Sequence, residues 1–186
     1  RGLGDVYKRQ TESRFYYPSV ISAYGFYEVD YTNYFERYYI VNDDGTVTRY
    51  QDWSWDISGA SNGYVKLQGP SNVAAVAAYG ASNLYTLTND GEIYLYTCDW
   101  RTESCTGSKV TSFGDNNVQI TSYNFYDYDY EDNFPRVYVL KADGTVMRYQ
   151  DWSWSINGAS NGYVTLSGIS NAKYIAAYNT SNLYVL

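Results

Sequence analysis

The stretch YYIVNDDGTVTRYQDWSW, residues 38–55, returns as VYVLKADGTVMRYQDWSW at residues 137–154. In both copies a run of β-branched and aromatic residues meets Asp-Gly, and a second such run follows. This pattern predicts a β-hairpin, and a two-residue type I′ turn there needs positive φ at both central residues. A third hairpin of the same kind is predicted at Asp90-Gly91, between Leu84-Tyr85-Thr86-Leu87 and Ile93-Tyr94-Leu95-Tyr96.

Working outward, residues 21–87 align without gaps on residues 120–186 at an offset of 99, and 34 of the 53 positions in 35–87 are identical to 134–186. Identity at that level is duplication. A shorter motif recurs inside the repeat, as Ile21-Ser22-Ala23-Tyr24-Gly25, Val76-Ala77-Ala78-Tyr79-Gly80, Ile120-Thr121-Ser122-Tyr123-Asn124 and Ile175-Ala176-Ala177-Tyr178-Asn179. A further strand is expected at Gly63-Tyr64-Val65-Lys66-Leu67 and its copy Gly162-Tyr163-Val164-Thr165-Leu166. Short strands in units of 44 and 55 residues are the pattern of propeller blades. The expectation is an all-β chain: an incomplete β-propeller, about three and a half blades of antiparallel four-stranded sheet. The blades fall at approximately 20–70, 71–117, 118–169 and 170–186, the last one truncated.

Composition points the same way. Of the 186 residues, 25 are tyrosine, which suits a strand surface with one packed and one wet end. A net charge of −7 repels phosphate backbones and argues against nucleic acid. The sequence has no apolar run long enough to cross a bilayer as a helix, so membrane insertion is not expected. The first ten residues, RGLGDVYKRQ, have no strand pattern and resemble a translated sequencing adapter. They are read as non-native, with 11–186 as the repeat fragment, and the natural start is then expected to be missing.

The motif order resembles the regulator-of-chromosome-condensation type of β-propeller repeat. Val73-Ala74-Ala75-Val76-Ala77-Ala78-Tyr79-Gly80, Leu84-Tyr85-Thr86-Leu87, Asp90-Gly91 and Ile93-Tyr94 carry the resemblance. Two departures matter. Asn83 and Asn182 stand where that family usually has histidine, and its Gly-Gln-Leu-Gly ending is absent. A chromatin or nucleotide-exchange role is therefore not implied. A bacterial surface propeller or a sugar-binding propeller fits the same layout, since fold alone does not fix function.

All five tryptophans follow the hairpins: Trp53 and Trp55, Trp100, and Trp152 and Trp154. With Tyr50, Asp52, Tyr149 and Asp151 they form the candidate ligand-binding set. In an extended segment Trp53 and Trp55 share a face, offering a sugar ring a stacking platform with aspartates to accept its hydroxyls. The same segment also suits blade-to-blade packing, which repeats need identically at every interface. The acidic run at 127–132 lacks the spacing of a calcium loop and reads as a solvated loop. No metal or cofactor is expected.

The chain has no histidine, which excludes a Ser-His-Asp or Cys-His site within it. Cys98 and Cys105 alone cannot fill a tetrahedral zinc site. They close a local disulfide or remain two thiols. The visible acids recur with the repeat, whereas catalytic acids are normally unique. The expected function is a non-enzymatic binding or scaffold module, extracellular or at the cell surface, recognising protein or glycan through blade loops. Association through unclosed blade edges is a further expectation. The alternatives are a fragment of a polysaccharide-active propeller enzyme and an intracellular interaction propeller.

Overall fold

A computed structural model of the chain describes residues 21–27, 34–52, 62–80, 82–99, 102–123, 126–127, 132–133, 136–151, 161–178 and 182–186. The first sheet takes β1 (Ile21–Tyr27), β2 (Tyr34–Val41), β3 (Val47–Asp52) and β4 (Gly63–Lys66) in sequence order. The second takes β5 (Val73–Ala78), β6 (Asn83–Thr88), β7 (Ile93–Cys98) and β8 (Cys105–Lys109), and a 3-10 turn, Thr111–Phe113, follows it. The third is built from β9 (Asn117–Tyr123), β12 (Arg136–Lys141), β13 (Val146–Gln150) and β14 (Gly162–Thr165). A small hairpin, β10 (Tyr126–Asp127) with β11 (Asp132–Asn133), lies between β9 and β12. β15 (Ile175–Ala177) and β16 (Leu183–Val185) form a two-stranded fourth sheet. Among the described residues, these strands all pair antiparallel.

The sheets stack face to face, and their first strands meet in succession: β1 packs on β5, β5 on β9, and β9 on β15. Four-stranded meanders whose first strands adjoin are the blades of an incomplete β-propeller. One apolar cluster fills each interface. Tyr39, Val47 and Leu67 of blade 1 meet Val76, Leu84 and Cys98 of blade 2. Ala75, Tyr85, Leu87 and Ile93 of blade 2 meet Ile120, Val137 and Val139 of blade 3. Tyr138, Leu140 and Val146 of blade 3 meet Ala172 and Ile175 of blade 4. Blade 2 is covered on both sides, so the unbroken apolar run VAAVAA in β5 has no polar face to alternate with.

Polar clasps join the inner strands. The amide of Ala78 donates to Ser22 Oγ at 2.9 Å, and one repeat later the amide of Ala177 donates to Thr121 Oγ1 at 3.5 Å. Ser122 Oγ donates to the carbonyl of Ala78 at 2.6 Å. Buried Gln119 spans blades 3 and 4 with both ends of its amide, donating to the carbonyl of Ile175 and accepting from its N–H, each at 2.9 Å.

The hairpin turns differ from the type I′ expectation. Positive φ occurs at Gly45, Gly91 and Gly144, while no aspartate is among the described residues with positive φ. Gly45 N–H donates to the carbonyl of Asn42 and Asn42 N–H to that of Thr46, giving a three-residue loop with glycine alone left-handed. Gly91 with Thr88, and Gly144 with Lys141, repeat the pattern. The cause lies in the next blade. The carbonyl of Gly45 accepts from Val73 N–H at 2.9 Å, and that of Gly144 from Ala172 N–H at 3.1 Å. Each turn is thereby seated on the entry of the following blade, where Asn72 or Asn171 is itself left-handed, with φ of 55° or 57°.

Candidate functional site

Part of the sequence-derived binding set, Tyr50, Asp52, Tyr149 and Asp151, falls on the described residues. Trp53, Trp55, Trp100, Trp152 and Trp154 lie outside the described residues. Tyr50 sits on β3, its ring centroid 5.9 Å from Tyr38 and 4.8 Å from Tyr64, one aromatic ladder across β2, β3 and β4. Asp52 ends β3, exposed. Tyr149 sits at the corresponding place on β13, 4.5 Å from Tyr163, and this second ladder faces Tyr79 and Tyr85 of blade 2 at 6.0 and 6.4 Å.

Tyr149 therefore stands at a blade interface, within a hydrogen-bonded array. Tyr79 donates to the Tyr149 hydroxyl, which donates onward to the carboxylate of Asp151. Tyr85 donates to Tyr163, which also accepts from Ser112. Burial pushes the Tyr79 and Tyr85 hydroxyls well above the usual phenol range, and the neighbouring tyrosines add to the effect.

A second arrangement was not singled out in the sequence. Cys98 and Cys105 are joined as a disulfide, closing a loop between β7 and β8. Arg49 of blade 1, fully buried, reaches this loop and donates to the carbonyls of Asp99 at 2.9 Å and Thr102 at 3.2 Å. A parallel bridge adds to it, with Gln68 N–H donating to the carbonyl of Glu103 at 2.7 Å and Cys105 N–H to that of Gln68 at 2.9 Å. The disulfide, the buried guanidinium and the bridge together fix the loop of blade 2 against the outer strand of blade 1.

A groove of about 510 Å³ opens there, lined by residues 64–68 and Glu103. It offers the exposed Tyr64, the ammonium of Lys66, the amide of Gln68 and the carboxylate of Glu103. Lys66 is held by Asp44 at 2.9 Å, an exposed pair of little energetic weight. Hydrogen bonds from Thr46, with Lys66 next, hold the Asp44 carboxyl well below the usual carboxylate range. Apart from the cysteines, no residue type here stands out in a sequence, because the groove arises from a contact between two blades. Among the described residues no cluster of His, Cys, Asp or Glu could hold a metal ion, and no helix is long and apolar enough to cross a membrane. The acidic run keeps only its ends in the described structure, Asp127 and Asp132, paired across β10 and β11.

No known family model matches the sequence, and no curated protein matches it. Among solved structures, the chain is similar to yeast RCC1 (Prp20) in its complex with Kap60. The identity is 12%, 77% of this chain and 38% of that chain are covered, and the TM-score is 0.47. It is also similar to a mutant of Aleuria aurantia lectin in complex with alpha-methyl-L-fucoside. There the identity is 13%, 91% of this chain and 63% of that chain are covered, and the TM-score is 0.49. The chain thus spans less than two thirds of either. The sheet order and the stacking of the sheets define the class of protein, an incomplete β-propeller, and the likenesses add no function to it.

Proposed function

We propose that the chain is a non-enzymatic binding module of a secreted or cell-surface protein, taking its ligand at the outer rim between blades 1 and 2. The groove beside the disulfide-closed loop carries this reading. An exposed tyrosine ring, an ammonium, an amide and a carboxylate around one opening match the alternating apolar faces and hydroxyls of a glycan, which need both donors and acceptors. The disulfide supports an oxidising compartment. Nothing in this set requires a metal or cofactor.

Glycan-array screening of the intact chain, followed by titration of the best ligand into Gln68→Ala and Glu103→Gln, tests the reading. Each variant is expected to bind about tenfold more weakly, the loss from one removed hydrogen bond to a sugar hydroxyl. Unchanged affinity in both variants would place the ligand elsewhere. Cleavage of the glycan during incubation would replace the binding module with an enzyme.

A further inference from the structure

The rim between blades 2 and 3 gathers aromatic rings around one carboxylate. Tyr149 on β13 and Asp151 just after it are two positions apart, so an extended chain puts both on the side of blade 3 that faces blade 2. Tyr163 stands opposite Tyr149 in the β13–β14 register, with the two rings 4.5 Å apart. Tyr79 and Tyr85 of blade 2 close the other side, at 6.0 and 6.4 Å from the Tyr149 ring, and Phe113 stands edge-on to Tyr163 at 5.0 Å. Burial divides the set into a floor and a rim. Tyr85 and Phe113 are each 1% exposed, whereas Tyr163 is 37% exposed, Tyr79 and Tyr149 are half-buried, and Asp151 is exposed.

Negative charge is what this rim offers. The face of a phenol ring is electron-rich, so part-exposed rings beside one another attract a cation. Asp151 adds a full charge: its carboxylate accepts from the Tyr149 hydroxyl and acts on Tyr79 as well. Among the described residues the ion pairs are Lys66–Asp44 and Lys109–Glu92, and Asp151 belongs to neither. Hydration decides which cation suits the place. Among the described residues no cluster of His, Cys, Asp or Glu could hold a metal ion, and one carboxylate supplies too few oxygens for calcium. A lysine ammonium is compact and strongly hydrated, and ring faces replace its water poorly. A quaternary ammonium spreads its charge over methyl groups that pack on rings, and it has no N–H to leave unsatisfied.

We propose that the rim formed by Tyr79, Tyr149, Tyr163 and Asp151 binds a quaternary ammonium group, the rings meeting its methyls and the carboxylate its charge. The hydroxyl chain sets the geometry, because the bond from Tyr149 to Asp151 keeps that ring beside the carboxylate. The site lies between blades 2 and 3, apart from the groove between blades 1 and 2, and does not depend on it.

Titration of the intact chain with choline, followed by ligand-observed NMR, tests it against the uncharged isostere of choline in which carbon replaces the nitrogen. The two have nearly the same shape and differ in charge. Choline is expected to saturate with a Kd of about 1 mM, and the isostere to bind about tenfold more weakly. Asp151→Asn and Tyr163→Leu are each expected to weaken choline about fivefold, the loss of one charge or one ring at a part-exposed site. Asp151 is exposed, so Asp151→Asn is expected to keep the β-sheet spectrum in circular dichroism and to decide the matter even if Tyr163→Leu folds poorly. No saturable binding of choline overturns the proposal. Equal affinity for choline and the isostere also overturns it, leaving an apolar patch with no preference for charge. Choline affinity undiminished in Asp151→Asn does so too, because the cation would then sit elsewhere on the chain.

Discussion

Arg49 of the first blade and Asp99 of the second are joined across the interface by a 2.9 Å hydrogen bond from the buried guanidinium to the main-chain carbonyl. A second bond to the carbonyl of Thr102 uses the other arm of the fork. A planar guanidinium can serve two carbonyls at once, which the single ammonium of lysine does less well.

Arg49→Met tests how much this clasp holds. The apolar stem is kept, but both carbonyls lose a charge-assisted donor. The expected loss is about 3 kcal/mol of unfolding free energy in urea titration. Arg49→Lys is expected to recover less than half of it. A loss below about 0.5 kcal/mol, the range of ordinary surface changes, would mean that water replaces the guanidinium without penalty.

The turn glycines give a sharper comparison. Gly144 has φ of 82° and a Cβ built on it would lie 2.5 Å from Asn171 Cα, whereas Gly162 has φ of 93° with nothing within 4 Å. Gly162→Ala meets only the backbone penalty, about 1–2 kcal/mol. Gly144→Ala meets that penalty and must also push the next blade away, so its cost is expected to exceed the first by about 1 kcal/mol or more. Equal costs in thermal or urea melts would show that the turn is not seated on Asn171.

Much of this architecture is legible in the residues. Asp44-Gly45 and Asp143-Gly144 mark hairpins, and their 99-residue spacing, with Asp90-Gly91 between them, lays out successive blades. The turn type was not legible, because it depends on whether aspartate or only glycine goes left-handed, and that is decided by the entry to the following blade. β8 was also hidden: Thr106-Gly107-Ser108-Lys109 is an exposed outer strand, with no buried face to impose alternation. Gln119 and Ile175 are 56 residues apart in the chain, so their amide clasp leaves no local signature. Arg49 resembles any strand arginine until the loop that it reaches is known.

Tyrosine ionisation offers a readout of the blade 2–blade 3 interface. Burial raises Tyr79 and Tyr85 above the ordinary value of 10.0, so the unfolded chain loses these protons first as pH rises. Their contribution is therefore complete below about pH 10 and declines above it. The melting temperature is expected to fall steeply beyond pH 10, with buried tyrosinate absorbance appearing only together with loss of the β-sheet signal. The double variant Tyr79→Phe/Tyr85→Phe is expected to flatten that fall. Smooth titration of all tyrosines in the folded chain would contradict it.

Reduction of Cys98–Cys105 separates fold stability from groove shape. The bridge spans seven positions. Releasing so short a loop is expected to cost about 2.5 kcal/mol by the chain-entropy relation. The loop that it closes also bears Glu103 on the groove and the carbonyls held by Arg49. Cys98→Ser/Cys105→Ser is therefore expected to lower stability and, at a temperature where the chain is still folded, to weaken the groove ligand further than lost stability explains. Arg49→Met leaves the disulfide in place but loosens the same loop from the other blade, and it should weaken the ligand in the same direction. If the cysteine variant binds as the parent does, Arg49 and the Gln68–Ser104 bridge suffice to shape the groove, and the disulfide serves stability alone.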